Sequence, residues 1–145
     1  MREIKFRAWD KDTKRMWDIE TYHIADEYVD LIEPGKNIAD INAERLWRKQ
    51  SEIILMQFTG LHDKNERKIY ESDILRVTTV EDGESYIATV KWFGDEGYPA
   101  FDLEGVPATR FYDANALSTI FNSGAETCEV IGNIHYTPEL LEDKK

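Results

Sequence analysis

The chain of 145 residues carries 29 Asp/Glu against 18 Lys/Arg, a net charge of -11, with 41% hydrophobic and 12% aromatic residues. Those apolar and aromatic shares exclude a disordered chain, and this length buries a core without disulfides or metals. No apolar run reaches the roughly 20 residues of a membrane span, the N-terminal stretch lacks a signal-peptide apolar region, and a lone cysteine, Cys128, excludes an intrachain disulfide or a thiolate metal cage.

Residues 3–9 alternate Ile4, Phe6 and Ala8 with Lys5, Arg7 and Trp9, the period of two that marks a half-buried strand. Asp10 to Lys14 is turn chemistry, because short Asp side chains bond the local backbone, and residues 15–19 read as a return strand. Residues 22–32 are ambiguous and end at Pro34-Gly35. Residues 40–50 fit either a short helix capped by Asn42 or a loop anchored by Leu46 and Trp47. A long loop or inserted hairpin is expected somewhere around residues 20–52.

The signal sharpens from Ile53. Residues 53–59 are strand-like, residues 60–68 form a polar connection tipped by Asp63-Lys64-Asn65, and residues 69–79 return as a β-run. Glu81-Asp82-Gly83-Glu84 is a hairpin turn, since Asp-Gly tolerates positive φ. The next strand places Tyr86, Ala88, Val90 and Trp92 on one face, and residues 101–106 add another. The period then changes: residues 113–121 predict a helix with Asp113 as N-cap and Gly124 as its stop. A final strand over residues 129–135 precedes a helix start at Thr137-Pro138.

Motifs that carry chemistry are scarce. The spacing Asp10-x-Asp12-x-Lys14 begins like a calcium loop, but its sixth and twelfth positions are Arg15 and Thr21; Asp63-x-Asn65 fails at Lys68 and Ile74. His23, His62 and His135 stand too far apart for a ligand spacing and read as surface or edge residues, while Cys128 reads as buried and inert. Gly60 and Gly132 read as bulges or close backbone contacts. Glu71 and Asp73 are the acids that stand out. In a strand they would share a face and could serve acid–base chemistry, although a bend that satisfies backbone donors is the preferred reading. Trp9, Trp17, Trp47 and Trp92 are candidates for a stacking platform, and Lys5, Arg7, Lys11, Lys14 and Arg15 lie near the first two, the local pattern of a single-strand binder. Charge opposes that reading. Residues 77–145 carry 4 Lys/Arg against 13 Asp/Glu, and such a field repels phosphate while suiting a partner with a basic surface.

Three blocks, Lys5-Phe6-Arg7-Ala8-Trp9-Asp10 running on to Met16, Gln57 to Ile74, and Glu129 to Leu141, occur in an order that resembles the YopX-like family of phage and prophage proteins. One departure stands out, for the family pattern Tyr-Glu-Gly-Asp has Ser72 in place of its glycine here. A positive φ at that position would strain a serine. The resemblance implies a phage or prophage product of a bacterial cytoplasm, mainly β, that self-associates; it implies no catalytic residue and no cofactor.

The expected fold is one α+β domain over residues 1–145, mainly antiparallel β, with a small barrel-like core and one or two short helices. The expected function is a non-enzymatic accessory protein that works by protein–protein contact, with no cofactor, metal, membrane or nucleic-acid partner. Alternatives are an acidic mimic of nucleic acid, a single-strand binder, or a small hydrolase using Glu71 and Asp73. Trp9, Trp17, Glu71 and Asp73 are the residues singled out for a functional role.

Overall fold

The computed structural model describes residues 5–97, 99–110, 112 and 115–142. Its contacts divide the chain into two compact units, residues 1–58 and residues 59–145.

The first unit grows from the hairpin of β1 (Phe6–Asp10) and β2 (Arg15–His23), in which Ala8 stands opposite Trp17. Its turn is held by the side chain of Asp10, whose Oδ2 accepts the backbone N–H of Thr13 at 3.1 Å and the Thr13 hydroxyl at 2.6 Å. The Trp17 indole N–H in turn donates to the Thr13 hydroxyl at 3.1 Å. β3 (Tyr28–Ile32), β4 (Arg45–Lys49) and the first half of β5 (Ile53–His62) complete a sheet in the order β4-β3-β2-β1-β5. Ala8, Trp17, Val29, Leu31 and Ile53 fill its core. The sheet curls: Arg48 on the edge strand β4 donates from Nε to Oδ1 of the buried Asp10 on β1, at 3.0 Å. A carboxylate can be buried there because Arg48 and Thr13 together satisfy it.

Residues 20–52, the least readable stretch of sequence, thus contain the end of β2, the hairpin of β3 and β4, and a short 3-10 turn over Gln50–Glu52. The helix alternative for residues 40–50 does not form. Leu46 pairs with Leu31 across the strands, and that apolar contact outweighs the modest helix propensity of the segment. Among the described residues no pairing joins β4 to β5, so the barrel-like core is an open, curled sheet and not a closed barrel.

In the second unit, β6 (Lys68–Tyr70) pairs with the end of β5, while β7 (Asp73–Thr79), β8 (Ser85–Trp92), β9 (Phe101–Glu104) and β10 (Glu126–Asn133) form a sheet in the order β10-β7-β8-β9. The run expected over residues 69–79 is split by a turn at Glu71-Ser72. Gly83, at φ 74, makes the expected hairpin turn between β7 and β8. α1 (Ala116–Ser123) packs Leu117 and Ile120 onto Leu75, Val77, Ala88 and Val90. Asp113 lies outside the described residues. The cap observed is Asn115, whose side chain accepts the Ser118 N–H at 2.8 Å, while Asp102 accepts the Leu117 N–H at 3.1 Å. Gly124, at φ 72, ends the helix as expected. The chain closes with α2 (Glu139–Glu142). Among the described residues no helix is long and apolar enough to cross a membrane.

Candidate functional site

The residues nominated by sequence do not gather in one place. Glu71 lies in the turn between β6 and β7, and Asp73 opens β7, fully buried. Asp73 accepts the Tyr70 backbone N–H at 2.8 Å and the side-chain amide of Asn133 at 3.1 Å. Ser72, at φ 74, adopts the left-handed conformation that glycine would favour. It donates its N–H to the carbonyl of Val90 and accepts from the N–H of Ile134, at 2.8 and 3.1 Å. This bend joins β6–β7 to the segment after β10 and encloses the Asp73 carboxylate. Gly132 sits in the same corner. A Cβ there would lie 2.1 Å from the Thr137 hydroxyl, so the glycine permits a close backbone approach.

Trp9 and Trp17 fall on opposite faces of the first sheet, because Trp17 pairs with Ala8 while Trp9 pairs with Met16. Trp17 is 0% exposed. The two therefore build no shared stacking platform. Cys128 is buried on β10, and burial, together with the charge of Asp63, pushes its thiol up to about 11. Asp63 holds the turn after β5 by accepting from the N–H groups of Asn65, Arg67 and Val130, at 2.8, 2.9 and 2.8 Å.

A polar network occupies one end of the second unit. The Tyr86 and Tyr112 hydroxyls lie 2.6 Å apart, Tyr112 donates to Glu126, and Arg110 donates to Glu126 at 3.1 Å and to the Thr79 hydroxyl at 2.6 Å. Burial and the neighbouring Tyr112 and Glu126 push the Tyr86 hydroxyl well above the usual tyrosine range. With one proton per hydroxyl, Tyr86 donates to Tyr112, so each proton has an acceptor. These bonds tie Arg110 and Tyr112 to the sheet.

The first unit presents a different arrangement, of which sequence reasoning singled out only Trp47, as a loop anchor and a stacking candidate. The His23 and Tyr28 rings stack at 3.9 Å and 14°, and Trp47 meets Tyr28 edge-on at 6.1 Å and 76°. Nε2 of His23 lies 2.8 Å from Oδ2 of Asp30. Register puts these side chains on one face, with His23 opposite Tyr28 and Asp30 opposite Trp47. Tyr28, Asp30 and Trp47 line a cleft of about 430 Å³. Trp47 is 59% exposed although it sits on a strand, and Ile24, Ile38 and Ile41 are 78%, 82% and 85% exposed nearby in sequence. The loop that carries Ile38 and Ile41 is hydrogen-bonded within itself and to Arg45. Arg45 donates to the carbonyls of Asn37 and Asp40, and Asp40 accepts the Asn37 N–H at 2.8 Å. The hint in the sequence was that residues 20–52 read poorly and match no block of the family pattern.

A family model described as YopX protein matches residues 5–142. The chain is 24% identical, over 150 residues and 97% of both chains, to a Bacillus subtilis (strain 168) protein described as SPbeta prophage-derived uncharacterized protein YopX. Among solved structures, the crystal structure of protein EF1440 from Enterococcus faecalis matches with a TM-score of 0.60 and 23% identity, covering 97% of this chain and 99% of that one. That likeness speaks for the fold.

Proposed function

This chain belongs to the YopX protein family, and from that premise we propose that it is a non-enzymatic, prophage-derived accessory protein acting by protein–protein contact through the outer strands of its first unit. The observation that carries this reading is Trp47, 59% exposed on the edge strand β4. Tryptophan is the side chain most often found at the energetic centre of protein interfaces. An edge strand also offers unpaired backbone groups to an incoming chain.

Two further features support the reading. Ile24, Ile38 and Ile41 lie in the same stretch of chain, and the hydrogen-bonded loop bearing the last two is ordered before any partner arrives, which lowers the entropic cost of association. A second copy of the chain is the other occupant to test, though antiparallel pairing of β4 with itself about Trp47 would set Arg45 against Lys49.

Site-specific photocrosslinking in the bacterial host tests this. A crosslinking residue at position 47 or 38 should capture a protein, and one at Val80, exposed in the second unit, should not. Equal capture from all three positions, or none from 47 and 38, would sink the proposal.

A further inference from the structure

We infer that the cleft between Trp47 and Tyr28, closed by the carboxylate of Asp30, receives a cationic side chain, a guanidinium or alkylammonium, from the partner protein. The inference rests on the contact proposed above and names its chemistry. Two aromatic side chains set nearly perpendicular, centroids 6.1 Å apart, offer a ring face and a ring edge to one guest. The negative face of a ring attracts a cation, and tryptophan does so best.

The third lining residue decides the sign of that guest. Asp30 brings a carboxylate to a cleft that the rings of Tyr28 and Trp47 also line, and a charged group set among aromatic ones favours a ligand of opposite charge. The His23 ring, stacked on Tyr28, holds Oδ2 of Asp30 at 2.8 Å and so fixes the carboxylate's orientation. A carboxylate only accepts hydrogen bonds, so a guest must donate to it. Guanidinium and ammonium groups do this while stacking on aromatic rings, whereas an anion or a phosphate would meet repulsion.

Two of the three cations of β4 are engaged elsewhere. Arg45 donates from Nε to both carboxylate oxygens of Glu20, at 3.2 and 3.1 Å. Arg48 points to the opposite face, toward Asp10. Lys49, opposite Tyr28 in register, is a neighbour of like charge to such a guest. A volume of about 430 Å³ admits an arginine or lysine head group with its stem.

The test uses the full chain and two short peptides, one containing two arginines between glycines and one with citrulline in their place. Binding is followed by NMR shifts of the Trp47 indole and of the Tyr28 and Asp30 amides. The arginine peptide should give saturable shifts at these three residues, and the citrulline peptide none. Asp30→Asn and Trp47→Ala should each weaken binding about tenfold, and Lys49→Gln should strengthen it. Shifts spread over the acidic second unit, shifts unchanged in Asp30→Asn, or equal response to citrulline would overturn the inference. Failure here with successful crosslinking at position 47 removes only the cationic chemistry; failure of that crosslinking removes the contact surface itself.

Discussion

Asn133 donates from its side-chain amide to Oδ1 of Asp73 across 3.1 Å, joining two positions 60 residues apart in a fully buried corner of the second unit. The contact links two of the three sequence blocks that carry the family resemblance, the Tyr70-Glu71-Ser72-Asp73 step and Gly132-Asn133. Asp63 makes the same link a second time by accepting the Val130 N–H at 2.8 Å. These polar residues are fold-makers.

Removing that acceptor should be costly. Asp73→Ala leaves the Tyr70 N–H and the Asn133 amide buried without it, a loss of about 3 kcal/mol. Asp73→Asn keeps the volume but sets a donor against one of those donors, so it should cost about 2 kcal/mol. Urea unfolding monitored in the second unit measures both. Wild-type stability in either variant would show that the corner bears no strain of this kind.

Ser72 sits at φ 74 and uses its own backbone N–H and carbonyl to bridge Val90 and Ile134. A glycine keeps both bonds and relieves the left-handed penalty, so Ser72→Gly should stabilise the protein by about 1 kcal/mol. Ser72→Ala should not. A raised urea midpoint with an unchanged slope for the glycine variant alone is the expected result.

Acid should loosen the protein through Asp63 and Asp10. Burial acts to raise the Asp63 pKa, and the N–H groups of Val130, Arg67 and Asn65 outweigh it, leaving the carboxyl below its ordinary 3.8. Burial likewise opposes Thr13 and Arg48 at Asp10, with the same net lowering. A carboxyl whose folded pKa is depressed binds its proton more readily when unfolded. Its stabilisation is therefore complete above the unfolded value near 3.8 and is lost as pH falls through the folded value. Asp63→Asn should flatten part of this acid limb in a pH series of unfolding free energies. An unaltered limb in Asp63→Asn would assign the acid sensitivity elsewhere.

Cys128 should be silent toward thiol reagents in the folded protein. The thiolate is the reactive form, and a pKa pushed up to about 11 leaves little of it at neutral pH, besides the steric cover of a buried strand. Labelling by a maleimide should be slow in buffer and rapid in denaturant. Fast native labelling would mean that β10 opens locally.

Where alternation, turn residues and caps agreed, the chain was readable. The β1–β2 hairpin, the Asp82-Gly83 turn, the shared face of Tyr86, Ala88 and Val90, and the Gly124 stop all appear where local chemistry put them. Even the positive φ at Ser72 followed from a glycine missing from a pattern. Long-range relations were hidden. Nothing local distinguishes Trp17, in the core, from Trp47, at the surface, because both sit in short strands among cations. The choice is made by strand register, which places Trp17 against Ala8 and Trp47 against Asp30. The segment over residues 40–50 failed for the same reason, since its strand partner lies across a loop, with Leu46 opposite Leu31, 15 residues away.

The two tryptophans give the sharpest contrast. Trp17→Ala removes a fully buried ring and the hydrogen bond to Thr13, and should cost about 4 kcal/mol. Trp47→Ala removes a ring that is 59% exposed and touches Tyr28 only edge-on, so its cost to folding should stay under about 1 kcal/mol. If Trp47 serves contact, Trp47→Ala should nonetheless lose partner crosslinking from position 38 while its unfolding curve overlays the wild type. A Trp47→Ala variant that retained this crosslinking would reduce Trp47 to an exposed edge residue. One that unfolded early would place it in the core of the first unit. Stability and crosslinking read together therefore separate a side chain that serves contact from one that serves the fold.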